Sequence, residues 1–146
     1  MLVWPIRLYS AAFSRYCSGG EHGRAFLLRA PPSGGRAKVA IVNCGGALCG
    51  NIVGLKEPND PATGKPKTDT NNSDAAKRAR PMIGVQIVID MKPDTIADKW
   101  KGQVYNAEDG KAYSGSITLV NATTLNLQGC ALGGLICKTQ TWTRTN

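Results

Sequence analysis

Short stretches of alternating apolar and polar residues recur along the chain, separated by turn residues, from about residue 26 to residue 144. Each stretch is rich in Val, Ile, Thr, Tyr or Trp, a composition typical of β-strands. The predicted strands are FLLRA, RAKVAIVN, GNIVGL, IGVQIVID, KWKGQVY, KAYSGSITL, TLNLQG and LICKTQTWTR. Eight short strands in succession predict an all-β protein, either an antiparallel barrel or a sandwich.

One long interruption separates the third predicted strand from the fourth. Residues 57–73 hold three prolines and almost no apolar residue, which predicts a long solvated loop. Within it, DTNNSD faintly resembles a calcium-binding loop but lacks that loop's glycine and closing glutamate. Asp74 or Ser73 can cap a short basic helix over residues 74–80, which Pro81 ends.

Alternation in the last four strands predicts one continuous inner face. A four-residue loop pairs Val104 with Tyr113, and a two-residue Gly133-Gly134 turn pairs Leu125 with Trp142. Gly102, Gly115 and Gly129 fall on this face in register, which indicates either a bend or free space. The face consists of Trp100, Val104, Tyr113, Ile117, Leu119, Leu125, Leu127, Gln140 and Trp142.

This inner face is the candidate binding site. A polar Gln140 among apolar residues is unusual in a packed core, and suggests a cavity in which a few polar groups orient a ligand. The alternative is a solid core in which Gln140 forms a hydrogen bond with a neighbour. The expected ligand-lining residues are Trp100, Val104, Tyr113, Ile117, Leu125, Leu127, Gln140 and Trp142.

Four cysteines lie within the predicted domain, in the segments NCGGALCG and GCALGGLICK. Their C-x4-C and C-x6-C spacings suit neither a zinc site nor a redox C-x-x-C motif, and the only histidine, His22, lies outside the domain. Tight turns instead place Cys44 opposite Cys49 and Cys130 opposite Cys137. Two disulfides are therefore expected, although four cysteines permit three connectivities. Disulfides indicate an oxidising compartment, either a bacterial periplasm or the exterior.

Charge and motifs favour neither nucleic-acid binding nor catalysis. The net charge is +8, but six of the basic residues lie in residues 1–40 against a single acid. The one tight basic run, KRAR, has no aromatic residues interleaved with it. No histidine-based catalytic group, nucleotide-binding glycine motif or facing carboxylate pair is found in the domain, so no enzyme activity, cofactor or metal is expected. No apolar run is long enough to span a membrane.

The first 23 residues differ from the rest of the chain. Pro5 and Arg7 interrupt their apolar stretch, so the segment is a poor signal peptide. We expect residues 1–23 to be a poorly ordered extension or a degenerate signal segment, and residues 24–146 to form the domain.

Several motifs closely resemble a bacterial family known as domain of unknown function 2147. They are CGGALCG, LKEPNDPATGKPKTD, ARPMIG, WKGQVYNAEDGKAYSGSI and GCALGGLICKTQTWTR, and the resemblance covers about residues 36–146. It implies an exported protein with a lipocalin-like (calycin) fold, hence an eight-stranded up-and-down barrel with one short helix. In such barrels an arginine of the last strand packs on a tryptophan of the first. Arg144 is present here, but Phe26 replaces the tryptophan.

The function expected from these observations is binding of a small apolar or amphipathic ligand without catalysis. The alternative is an envelope protein that interacts with or inhibits other proteins through loop 57–73 and the basic helix 74–80. Ligand identity, pathway and oligomeric state are left open by the sequence.

Overall fold

The computed structural model describes residues 26–30 and 37–144, with side chains described from residue 37 onward. The expected extension over residues 1–23 and the side chain of Phe26 lie outside this part. The described residues form eight strands, which we number β1 to β8. They are β1 (Phe26–Ala30), β2 (Ala37–Asn43), β3 (Leu48–Leu55), β4 (Gln86–Pro93), β5 (Lys99–Asn106), β6 (Lys111–Asn121), β7 (Thr124–Ala131) and β8 (Ile136–Arg144).

The strands form an antiparallel up-and-down sheet that closes into a barrel in the order β1 to β8. This confirms the predicted all-β antiparallel architecture. The closing seam is short, because β1 and β8 pair only at Leu28 with Arg144 and at Arg29 with Thr143.

The predicted registers of the last four strands are confirmed. Val104 pairs with Tyr113, and Gly102 with Gly115. Further along the sheet, Ile117 pairs with Leu127. Leu125 pairs with Trp142, as expected. The position of each turn and the side-chain alternation were therefore sufficient to align this half of the barrel.

The helix predicted over residues 74–80 is wrong in extent. Only one turn of 3-10 helix forms, at Ala75–Lys77. Asp74 caps it as expected, since its Oδ1 accepts a hydrogen bond from the Ala76 N–H at 3.0 Å. A single turn fixes many torsions for few hydrogen bonds, so it does not propagate on its own. Thr68 also forms a β-bridge with Pro81, which draws the chain away.

Strand β4 begins and ends later than the pattern IGVQIVID predicts, and Met91, which lies beyond the predicted strand, is fully buried. The cause is a bulge: the β4–β5 register shifts between Ile89 and Lys92, and Asp90 has a φ of 47°. The bulge adds one residue to β4 between two inward-facing positions. The side chains of Val88 and Met91, three residues apart, therefore both point into the core.

The bulge requires a glycine on the neighbouring strand. A Cβ atom on Gly102 would lie 2.5 Å from the carbonyl oxygen of Asp90 and 2.6 Å from that of Ile89. The inner-face glycine at this position therefore serves close backbone packing and leaves no free space.

Both predicted disulfides are present, at Cys44–Cys49 and Cys130–Cys137. Cys130 lies opposite Cys137, as expected, but the turn beyond them spans residues 132–135 and not two residues. The predicted register at Cys44 is wrong, because Asn43 pairs with Leu48 and the turn contains four residues. The Asn43 side chain accepts a hydrogen bond from Gly46 N–H in this longer turn. The 5.9 Å separation of the Cα atoms of Cys44 and Cys49 still permits the bond.

Two clusters of buried side chains form the core. The larger fills the barrel and consists of Val39, Ile41, Leu48, Val88, Met91, Ile117, Leu125, Leu127 and Trp142. The smaller lies between the long β3–β4 loop and strands β3, β4 and β5, and consists of Ile52, Val85 and Tyr105.

Replacing Gly102 tests the role of the bulge. We expect Gly102→Ala to destabilise the protein by about 2–4 kcal/mol, because the new methyl group collides with backbone that cannot move without opening the β4–β5 register. Gly129→Ala is the matched control, since nothing lies within 4 Å of its Cβ position. Urea unfolding of both variants measures the difference, and equal stabilities would contradict this account.

Candidate functional site in the barrel interior and its mouth

The floor of the barrel interior is packed with side chains. Ile117, Leu125, Leu127 and Trp142, four of the eight expected ligand-lining residues, are each at most 5% exposed and contact the buried residues of β2 to β4. Trp100 and Val104 are half-buried and pack against this cluster. At this level the interior is a solid core.

The three inner-face glycines do not provide equal space. The site of a Cβ on Gly115 is occupied by Val104, whose Cγ2 would lie 2.3 Å away, and Gly102 faces the bulge. Among the described residues, no atom beyond the chain neighbours lies within 4 Å of the position that a Cβ on Gly129 would take. The free space therefore lies on one side of the barrel, above the packed floor.

Polar residues surround this space. Lys138 pairs with Gly129 and Gln140 with Leu127, so both occupy inner-face positions, and both are exposed. Gln140 Oε1 accepts a hydrogen bond from Trp142 Nε1 at 3.2 Å, which is the structural role considered for it. Tyr113 is half-buried, and its hydroxyl donates to Asp109 at the rim. We call the region around Gly129, Lys138, Gln140 and Tyr113 the mouth.

At the mouth, strand β8 is paired on one side only within the described residues. Its pairing with β1 reaches only Thr143 and Arg144 within the described ranges, whereas its pairing with β7 continues to Ile136. Residues 136–141 are accordingly exposed in both alternating directions, and Trp142 is buried. Among the described residues, β8 thus has a neighbouring strand on both sides at the floor, but only β7 beside it at the mouth.

Arg144 lies at the closing seam, opposite Leu28, and Phe26 pairs with Ile41 of β2. The expected stacking of Arg144 on Phe26 involves a side chain outside the described part of the chain, so it stays a prediction.

A buried polar network, which the sequence did not reveal, fastens the β3–β4 loop to the barrel. Asp69 is fully buried, and its Oδ1 accepts a 2.6 Å hydrogen bond from the hydroxyl of Tyr105 in β5. Its Oδ2 accepts from Asn72 Nδ2 at 2.8 Å and from Arg80 Nε at 2.9 Å, with Arg80 Nη2 at 2.8 Å. Arg80 also lies 5.7 Å from the centre of the Tyr105 ring. The carboxylate is therefore fully compensated, as a buried charge must be.

The network shifts the proton affinity of its members. Burial by itself would raise the pKa of Asp69, but hydrogen bonds from Tyr105, Asn72 and Arg80 and the charge of Arg80 outweigh it, so the pKa is lowered. The pKa of Tyr105 is raised by burial and by its bond to the Asp69 carboxylate. At neutral pH both groups remain in the forms that bind each other.

This loop lies on the outer side of the barrel wall. Tyr105 pairs with Ala112, on the face opposite to the inward-facing Val104. Ser73 N–H donates to the carbonyl of Gly110 in the β5–β6 turn, and a Cβ on Gly110 would collide with Asn71 backbone. The stretch DTNNSD, interpreted as an ordinary solvated loop, thus contains two buried residues, Asp69 and Asn72. Asn and Asp in an extended polar segment are so common that no sequence signal separates these two from their neighbours.

A polar cleft of about 310 Å³ lies beside the network, between the loop and strands β4 to β6. Two of the three basic residues of the segment 74–80 already have partners within the loop, because Arg78 Nε donates to the carbonyl of Asn72 and Arg80 binds Asp69. The third, Lys77, lies 3.8 Å from Asp74. Arg80 and Lys77 thus each lie beside a carboxylate, whereas Arg78 is bound to a neutral carbonyl and keeps its charge. The protein-interaction hypothesis stays a prediction.

Removing one hydroxyl tests the network. We expect Tyr105→Phe to lower the free energy of unfolding by about 1–3 kcal/mol, because the buried Asp69 carboxylate loses its shortest hydrogen bond. Tyr113→Phe removes a tyrosine hydroxyl bound to an exposed aspartate and should leave stability nearly unchanged. Thermal unfolding of the two variants compares them, and an unaffected Tyr105→Phe protein would refute the anchoring role.

Acid should loosen the same anchor. Because the pKa of Asp69 is lower in the folded than in the unfolded chain, its contribution is complete above the unfolded pKa and is lost as pH falls through the folded one. We therefore expect stability to decline below about pH 5. Asp69→Asn should be less stable at pH 7 and should lose less on acidification, as measured by urea unfolding from pH 7 to pH 3. Parallel pH profiles of the two proteins would contradict this prediction.

Comparison with known proteins places the chain in a family. Over residues 29–144 it matches the family described as "Uncharacterized protein conserved in bacteria (DUF2147)". Among solved structures it is similar to protein HP1028 from the human pathogen Helicobacter pylori, described as belonging to the lipocalin family. The identity is 22%, the TM-score is 0.64, and the match covers 88% of this chain and 85% of that chain. At this identity the likeness establishes a lipocalin-like fold alone. No protein with a curated description matches significantly.

Within residues 26–30 and 37–144, no helix has the length and apolar character needed to cross a membrane. The two disulfides fit a periplasmic or extracellular bacterial protein. The family match covers most of the chain, including the long loop and both disulfides, and the barrel agrees with the lipocalin-like neighbour. The chain belongs to the bacterial DUF2147 family.

Proposed function

We propose that this protein is an exported binding protein that takes up a small amphipathic ligand at the mouth of its barrel. The observation that carries the proposal is the contrast along the inner face. Packed apolar side chains end at Leu127, and free space begins at Gly129, one inward position further along β7. A ligand would therefore rest on the floor and not pass through the barrel.

The residues of the mouth favour a ligand with an apolar body and an anionic head. The floor offers Leu127 and Trp142, while the exposed ammonium of Lys138 stands beside the space at Gly129. A few polar groups above an apolar surface are the usual composition of a small-molecule site. A fatty acid is the simplest molecule with this chemistry.

Export is supported by the two disulfides. Cys44–Cys49 and Cys130–Cys137 each close a hairpin, and such bonds persist in a periplasm or outside the cell but seldom in the cytosol. Amphipathic molecules are poorly soluble in the periplasm and outside the cell, so a protein that binds them at an accessible site could carry them through either.

Titration with a fluorescent fatty acid, followed by competition with oleate, tests the proposal. We expect saturable binding that Gly129→Phe weakens at least about tenfold, because the new ring occupies the free space above Leu127. Thr139→Phe is the matched control, since it adds the same ring to an exposed position on the opposite face of the adjacent strand.

Lys138→Gln distinguishes the contribution of the ligand's charged head to binding from that of its apolar body. It should weaken binding of the fatty acid and leave binding of the corresponding uncharged alcohol nearly unchanged, because only the charged head gains from the ammonium group. Absence of saturable binding to the wild-type protein, or equal effects of Gly129→Phe and Thr139→Phe, would overturn the proposed site.

A further inference from the structure

The turn between β7 and β8 presents a cluster of aliphatic side chains to solvent. Leu132 is 69% exposed, Leu135 85% and Ile136 55%, within five consecutive residues. The other large exposed apolar residues of the described chain are dispersed over the β3–β4 region and the opposite turns. Single exposed apolar residues are ordinary, whereas a cluster at one protruding tip indicates a contact surface.

The tip is held in one shape. The Cys130–Cys137 disulfide closes the hairpin directly below it, and Gly133 and Gly134 adopt φ values of 66° and 95°. Leu132 itself has a φ of 53°, a left-handed conformation that is unfavourable for a residue with a branched apolar side chain. Asparagine or glycine would relieve this strain, so the turn maintains an exposed leucine at a cost in stability.

The hairpin that carries the tip has a single charge near it. From Thr124 to Thr143 the only charged residue is Lys138, while Glu108 and Asp109 lie in the β5–β6 turn at the same end of the barrel. Lys138 follows the disulfide directly and is exposed. The strands that support the tip thus contribute only positive charge.

A bilayer fits this surface better than a protein does. A stable protein interface needs about 800 Å² from each partner and favours aromatic and arginine anchors, which this tip lacks. Insertion into a lipid interface needs only exposed apolar side chains with cations at the level of the headgroups. Three aliphatic side chains on a stapled turn, with a lysine behind them, have this arrangement.

We propose that the β7–β8 tip is a membrane-docking element, which inserts Leu132, Leu135 and Ile136 into the surface of an anionic bilayer while Lys138 contacts its headgroups. The mouth lies at the same end of the barrel, because both adjoin the β7–β8 turn. Docking would therefore turn the mouth toward the lipid. This inference does not depend on the proposed ligand site.

Flotation of the full chain with vesicles tests the proposal, using vesicles of phosphatidylcholine with one-quarter phosphatidylglycerol and vesicles of phosphatidylcholine alone. We expect binding to the anionic vesicles that declines with added salt. The combined variant Leu132→Asn, Leu135→Ser, Ile136→Thr should reduce partitioning at least about tenfold. Asparagine tolerates the left-handed conformation and threonine suits a strand, so the barrel should fold as before.

The matched control is Ile96→Thr with Val120→Thr, which removes two exposed aliphatic residues, 57% and 54% exposed, near the opposite end of the barrel. It should bind vesicles as the wild type does. Lys138→Gln should weaken binding to anionic vesicles only. Intact disulfides by mass and unchanged Trp fluorescence would verify that each variant is folded.

Three results would overturn the proposal: no vesicle binding by the wild-type protein, equal binding by the tip variant, or equal losses in the tip and control variants. Sedimentation velocity tests the main alternative, in which a second copy of this chain binds the tip. A wild-type dimer that the tip variant dissociates, without vesicle binding, would assign the tip to a second copy of this chain.

Discussion

The contact between Gly102 and the bulged backbone of β4 determines how the barrel interior is filled. Because β5 has no side chain at this position, the carbonyl groups of Ile89 and Asp90 can approach it closely. The additional residue in β4 then turns Met91 inward beside Val88. Without the bulge, strict alternation would direct Met91 to the solvent side, and the core around Trp142 would lose one of its largest buried partners. The packed floor thus depends on one local departure from regular strand geometry.

The barrel has two unlike ends as a result. At the floor, buried side chains of β2, β3, β4, β6, β7 and β8 make a dense core beside the closing seam. At the mouth, Gly129 opens a space and β8 continues past the last described residue with which it pairs on β1. The residues that a binding protein would use, a cation, an amide and an apolar base, meet at this boundary between packed and open interior.

The long β3–β4 loop is fastened to the outer side of the barrel and does not fill its interior. Its buried carboxylate, Asp69, binds a tyrosine on the outer side of the wall, so the polar network neither occupies nor polarises the barrel's inner face. Two disulfides close hairpins at opposite ends of the sheet. The loop anchor and the two disulfides together stabilise a small domain with a limited core.

The sequence by itself determined the antiparallel architecture and the registers from β5 to β8, and it placed each pair of cysteines beside one turn while three connectivities stayed open. These features follow from local rules, namely an alternation of period two and turns whose positions are marked by glycine and polar residues, so neighbouring residues contain the information. It also placed Ile117, Leu125, Leu127 and Trp142 on one face. Only the tertiary structure decided whether that face encloses a cavity, because filling depends on Met91 and Val88 from a distant strand and on a bulge that no local pattern marks. The burial of Asp69 was equally inaccessible to sequence, since its partners Tyr105 and Arg80 lie 36 and 11 residues away. A carboxylate in a polar loop looks the same whether its partner is water or a tyrosine.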